Sequence, residues 1–223
     1  MVKLVWDQSG QRLYETGTSK GVLFVQKADG SYDKGVAWNG LVSVKKAPDG
    51  AESSPQYADN IKYLDLMSAE NLKGSIDAFT YPEEFEPCDG SAAVNPGVYV
   101  GQQSRVPFAM AWSTIVGNDT QGNAYGEKIH IIYNAKVSPS ERAYETVNED
   151  PTALTFSWEY STTPVDLSDI GLDPAAGVTV SKTEVSEAAW KSLTDTLYGG
   201  GIEADSKLPT IQEVIAMTEV VAP

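Results

Sequence analysis

The chain has 223 residues, 41% of them hydrophobic and 21% charged, a composition that excludes a disordered chain and leaves room for a substantial core. Its net charge is −15, and its closest approach to a basic cluster is Lys45-Lys46, which excludes a protein that grips nucleic acid through neutralised phosphates. The single cysteine, Cys88, excludes an internal disulfide. The opening MVKLVWDQSG has no signal-like apolar stretch, and no run approaches the roughly 20 apolar residues that span a bilayer, so the expectation is folding in a cytoplasm.

Two-residue alternation dominates the chain and predicts half-buried strands. It is weak in Val22–Lys27, Val36–Val44, Ile61–Met67 and Ser75–Tyr81. Residues 45–60 (KKAPDGAESSPQYADN) and 81–97 (YPEEFEPCDGSAAVNPG) read as long polar loops. In 105–116, Val106, Phe108, Met110, Trp112, Thr114 and Val116 share an apolar face, and Ala109, Ala111 and Ser113 belong to a small, wet one. In 128–137, Ile129, Ile131, Tyr133, Ala135 and Val137 share a face. The Gly/Asn-rich stretch 117–126 makes these two strands a hairpin. In 153–161, Leu154, Phe156, Trp158 and Tyr160 oppose Ala153, Thr155, Ser157, Glu159 and Ser161.

Helix signals are few. Ser138-Pro139-Ser140-Glu141 fits a capping box and predicts a helix to about Asn148. Val185, Ala189, Leu193 and Leu197 form a stripe on a helix at about 184–198, stopped by Gly199-Gly200-Gly201. Pro209 opens a last short helix through Met217. The fold class is mainly β, a sandwich or barrel with a flanking helix and a C-terminal helical segment. The division is 1–168 for the β domain and 169–223 for an extension packed on it.

Chemical motifs do not accumulate. Gly17-Thr18-Ser19-Lys20-Gly21 matches G-x-S-x-G, but the strand-like Val22–Val25 follows where a nucleophile elbow needs a helix. His130 is the lone histidine and cannot build a zinc site with Cys88. The loop from Asp119 has Ala124 and His130 where a calcium loop needs Gly and Glu. Glu83, Glu84, Glu86 and Asp89 form an acidic stretch whose plain reading is a solvated loop. The expectation is a non-enzyme with no cofactor and no metal.

Six blocks, in order, resemble the major tail proteins of siphophages, the phages with long non-contractile tails. They are Gly35–Leu41 (GVAWNGL), Tyr57–Tyr63 (YADNIKY), Thr80–Phe85 with Cys88–Ser91, Ile115–Thr120 (IVGNDT), Ser138–Tyr144 (SPSERAY) and Phe156–Pro164 (FSWEYSTTP). The resemblance covers about residues 5–165 and is looser beyond, chiefly Trp190 to Gly199. It implies a tail-tube β fold, rings of six copies stacked into a tube, and strands of all copies joined around a lumen. It also implies a long loop reaching to the next ring, other tail proteins at the tube ends, and DNA passing through without specific binding. The location is then the virion tail, assembled in a bacterial host cytoplasm.

On that reading the inter-ring loop is 45–60, with Lys45, Pro48, Asp49, Gly50, Pro55, Tyr57 and Asp59 as its candidate residues. Asp77 and Glu159 are the candidate lumen-facing acids, since net-negative subunits repel passing phosphate. A different class remains: a soluble β-sandwich ligand-binding or virion-decoration module, with Trp38, Tyr57 and Tyr63 as its platform. A third is an acid/base enzyme using the Glu83–Asp89 carboxylates.

Overall fold

The computed structural model describes residues 3–50, 52–144, 146, 153–200 and 205–218. It is mainly β, as the alternation predicts. The strands are β1 (Leu13–Val25), β2 (Val36–Trp38), β3 (Leu41–Gly50), β4 (Ser53–Ala58), β5 (Ile61–Met67) and β6 (Glu70–Ala78). After a short helix, α1 (Glu86–Asp89), come β7 (Ala92–Asn95), β8 (Val98–Val100), β9 (Phe108–Asn118), β10 (Gly122–Val137), β11 (Phe156–Thr162) and β12 (Gly177–Ser181). Helices α2 (Glu187–Tyr198) and α3 (Ile211–Thr218) follow.

The main sheet runs β2-β1-β9-β10-β11-β6-β3, with antiparallel neighbours throughout. The two ends of this path, β2 and β3, are separated in the chain only by Asn39 and Gly40. A sheet whose opposite edges are joined by two residues cannot lie flat, so it rolls until the edges meet. Gly21 of β1 is packed so closely beneath Leu41 of β3 that any side chain there would collide with it. Inside the roll, Leu23, Trp38, Ile76, Phe85, Phe108, Met110, Ile132, Trp158 and Tyr160 are buried. Phe85 sits at the centre of the aromatic packing, 4.6 Å from Trp38, 5.4 Å from Phe108 and 5.1 Å from Trp158 between ring centroids.

The other face of β1, β9 and β10 is covered by α2 and α3. Trp190, Leu193 and Leu197 of α2 and Ile211 and Val214 of α3 pack on Val22, Phe24, Ala109, Ala111, Ile129 and Ile131. Ala109 and Ala111 are therefore buried, and the expectation of a wet face on 105–116 is corrected. Small residues there let the helices approach the sheet closely, which a sequence pattern does not distinguish from exposure to water. The C-terminal segment thus contributes β12, paired with Lys128–Ile132 in the middle of β10, and the two helices that seal this layer.

The face assigned to 128–137 also needs correction. Ile132 pairs with Met110 but Ala135 pairs with Phe108, so β10 carries one extra residue. The bulge sits at Asn134, in the left-handed region at φ 48, where Asn is tolerated better than most residues. Tyr32 holds it, donating its hydroxyl to Asn134 Oδ1 (2.7 Å) and accepting from the Asn134 backbone N–H (3.1 Å). Before the bulge Ile129, Ile131 and Tyr133 face the helices; after it Ala135 and Val137 face the interior of the roll.

Helix α2 stands where the periodicity puts it, and α3 follows Pro209 as a short last helix. Ser186 caps α2 by accepting from the Ala189 N–H at 3.2 Å. Thr210 and Glu213 form a reciprocal capping box for α3, at 3.1 and 2.9 Å. The capping box read at 138–141 is not used: residues 138–144 have no helix, and the remainder of that expected helix lies outside the described residues. Tertiary contacts override the local signal. The Ser138 N–H donates to the Glu159 carbonyl at 2.8 Å. Arg142 donates to the Asp89 carboxylate and lies over Tyr81 and Phe156, 5.7 and 5.3 Å from their ring centroids. The 81–97 stretch is likewise not a loop: it forms a 3-10 turn at Glu83–Phe85, then α1, β7 and the loop into β8, with Phe85 and Cys88 fully buried.

Asp89 also accepts from Trp158 Nε1 at 3.1 Å, so it ties the extended segment to the core. Arg142→Ala leaves this partly buried carboxylate without its nearest cation, with only Arg105 acting on it, and should cost about 1–2 kcal/mol in chemical denaturation. Adding Asp89→Asn should recover most of that loss. Equal stability of Arg142→Ala and the parent would show that the pair does not hold the segment.

Candidate assembly surfaces

Beyond the roll, β3 and β6 continue as a two-stranded ladder as far as Gly50 opposite Glu70. The chain then forms the β4–β5 hairpin, turned at Asp59 (φ 51) and Asn60 (φ 63), the two successive left-handed residues of a type I′ turn. Every residue of β4 and β5 is exposed. The segment 45–60 is thus not a loop but the outgoing half of a β arm, and 61–73 is its return. Alternation of polar and apolar residues in 53–67 builds strands even though the ribbon has no core to cover.

The candidate residues of this segment fall along the arm. Lys45 ion-pairs with Asp77 at 3.4 Å, and Asp49 with Lys73 at 2.5 Å, across the β3–β6 ladder. Pro48 sits on the sheet-edge strand opposite Leu72, a position that tolerates its missing N–H. Gly50 ends β3 at φ 95. Pro55 and Tyr57 lie on β4, and Asp59 at the tip. Tyr57 is 70% exposed and Tyr63 69%, with Ile61, Leu66 and Met67 also in water. Tyr57 and Tyr63 stand in water as the platform reading expects, whereas Ile61, Leu66 and Met67 carry no surface signal because a period-2 apolar strand reads as core-facing.

Asp77 and Glu159 lie on one face. Asp77 pairs with Ser157 and Glu159 with Ser75, so both point away from the buried Ile76, Trp158 and Tyr160. Along this outer face of β3, β6 and β11, with Lys136 of β10 beside them, Lys45, Lys73 and Lys136 balance Asp49, Asp77 and Glu159. Asp77 accepts from Ser43 at 2.6 Å. That bond, with Ser157 and Lys45, outweighs partial burial and holds its carboxyl below the usual range.

A second ribbon, β7–β8, leaves Val94, Val98, Tyr99 and Val100 exposed. Trp38, proposed for a ligand platform, is only 2% exposed and donates Nε1 to the Thr80 carbonyl, so that platform loses its first member. The acids at 83–89 are engaged separately: Glu83 by Tyr99, Glu86 by Tyr81, Asp89 by Arg142. No group of three potential metal ligands occurs among the described residues. The G-x-S-x-G match lies inside β1.

At one mouth of the roll, His130 stacks on Trp112 at 5.4 Å and meets Thr114, Thr179 and Glu15 at 2.9, 3.0 and 3.2 Å. Glu15 also accepts from Lys128 at 2.7 Å. Burial, with Lys46 and Lys128 nearby, pushes the imidazole pKa down against the pull of Glu15. Partial burial alone would raise Glu15; hydrogen bonds from Lys128 and Thr114, with the charge of Lys128 and the neighbouring His130, overcome it and lower its pKa to about 2.

No protein-family model matches the chain, and no curated protein matches it significantly.

A carboxylate whose folded pKa is depressed stabilises the fold above its unfolded value and loses that contribution as pH falls through the folded one. Glu15→Gln should therefore be less stable than the parent at pH 7, by no more than about 1 kcal/mol for a partly exposed pair. The difference should shrink as pH falls from 4.5 toward about 2. A pH-independent difference would remove the ionic role of Glu15.

Proposed function

We propose that this chain is the structural subunit of a tube built by self-assembly, of the kind formed by the major tail proteins of siphophages, in which stacked rings of six copies conduct DNA. The observation that carries this reading is the β4–β5 arm. An isolated two-stranded ribbon is marginal in water, and this one exposes Tyr57, Ile61, Tyr63, Leu66 and Met67. Its open edges and apolar side chains are completed by pairing with another copy. A head-to-tail contact of this type closes into rings or continues into a filament, whereas a two-fold contact ends at a dimer. The ordered resemblance of six sequence blocks supplies the specific family. The small, charge-balanced outer face of β3, β6 and β11 suits a lumen wall that does not hold phosphate, and under this reading the subunit works in the virion tail after assembly in the host cytoplasm.

Because Gly50 and Glu70 are ladder partners, residues 51–69 can be replaced by a two-residue turn without disturbing the roll. The shortened protein should melt as a cooperative monomer at the parental temperature. By negative-stain microscopy at high concentration the parent should form hollow tubes and the shortened protein none. Tubes of normal length from the shortened protein would remove the arm from assembly, and a parent that stays monomeric at every concentration and salt would remove the tube.

A further inference from the structure

Near the start of the chain three large apolar side chains stand in water in succession. Leu4, Val5 and Trp6 are 70%, 61% and 75% exposed. Lys3 and Asp7 bracket them. The chain becomes fixed just afterwards, where the Gly10 N–H donates to Asp119 (2.9 Å) and Asn118 Nδ2 donates to the Gly10 carbonyl (3.1 Å).

At the root of the arm lies a groove of about 880 Å³, walled by residues 67–72 on one side and by Pro164 and 173–177 on the other. Leu72, Met67, Pro164 and Pro174 give it apolar walls, and Lys46, Glu70 and Asp173 also line it. Lys46 pairs with Gly74, Pro48 with Leu72 and Gly50 with Glu70, so the side chains of Lys46, Leu72 and Glu70 share one face of the ribbon. Lys46 and Glu70 are four ladder steps apart, roughly 14 Å along the strands. From Lys3 to Asp7 is also four residues, roughly 14 Å when extended. With Asp7 over Lys46, Lys3 falls over Glu70; Val5, on the same side of the extended segment, falls over Leu72, while Leu4 and Trp6 face the opposite wall at Pro164 and Pro174. The Lys46 ammonium lies over the Trp112 ring, 5.2 Å from its centroid, beside His130 Nδ1 at 3.5 Å and Thr179 Oγ1 at 3.4 Å, and it already feels the charge of Glu15. No carboxylate lies within 4.0 Å of it among the described residues.

We infer that this groove receives the Leu4-Val5-Trp6 segment of a second copy of the chain. In the single chain the segment stands in water and the groove is open, so the joint needs another copy. Burying a Trp and a Leu supplies the drive, and the bracketing charges set direction and register. Exchange of a terminal segment between identical copies is a low-cost route to association. The joint goes beyond the tube reading and does not depend on it.

The test uses two full-length variants, Val5→Cys and Ala69→Cys, mixed and treated with a short bis-maleimide. Cys88 stays out of the reaction, since it is buried and burial pushes its thiol pKa up to about 12. The mixture should give a cross-linked pair. Trp6→Ala in the Val5→Cys chain should cut its yield at least about tenfold, as loss of a central aromatic anchor does. Lys3→Glu should lower the yield at low salt, and Glu70→Lys in the acceptor should restore it. No pair in the mixture overturns the inference, as does a link formed only within a chain carrying both cysteines. Cross-linked pairs in a protein that forms no tubes would uphold this joint and remove the tube.

Discussion

The two-residue link between β2 and β3 is the constraint on which the rest of the molecule depends. It joins opposite edges of the main sheet, so the sheet has an inside and an outside. The inside is filled by large rings around Phe85. The outside differs along its length. Over β1, β9 and β10 it is sealed by α2 and α3; over β11, β6 and β3 it is open, polar and charge-balanced. The bulge at Asn134 makes the two halves compatible, since it turns the second half of β10 so that Ala135 and Val137 point inward. Without that extra residue one half of the strand would bury its polar face.

The same closure explains the arm. Once β3 and β6 have met the roll's end they have no further neighbours, yet their ladder continues to Gly50 and Glu70 and on into β4 and β5. Within one chain this extension buries nothing. A ribbon of this length that covers no core is costly to maintain as sequence unless something outside the chain covers it. The salt links Lys45–Asp77 and Lys73–Asp49 stiffen its root, and the exposed apolar side chains lie further out on β4 and β5.

Much of this was legible in the sequence where the pattern and its cause coincide. The strands at 105–116, 128–137 and 153–161 and the helix near 184–198 are carried by long periodic runs, which tertiary context rarely reverses, and the short helix at 209–217 is signalled by Pro209. What escaped was set by contacts between distant residues. Ala109 and Ala111 look like a wet face because smallness serves both exposure and close helix packing. The box at Ser138–Glu141 is a sound local signal defeated by Arg142, whose partner Asp89 is far away in the chain. The outgoing half of the arm, 45–60, reads as loop through its prolines and polar residues, since Pro48 on an edge strand and Pro55 in an exposed hairpin meet no ladder that forbids them, while its return at Ile61–Met67 reads as the strand it is. Asp77 and Glu159 were found to share a face, as alternation implies, but the lysines that balance them come from neighbouring strands.

The central claim is that the arm is completed by another copy of the chain. Amide hydrogen exchange across residues 53–67, followed from dilute to concentrated protein, measures this directly. The account predicts rapid exchange throughout β4 and β5 in the dilute subunit and strong protection once assembly sets in, with the amides of β9 and β10 protected in both. Protection of the arm that is already complete in the dilute monomer, or exchange that stays rapid in assembled protein, would contradict it.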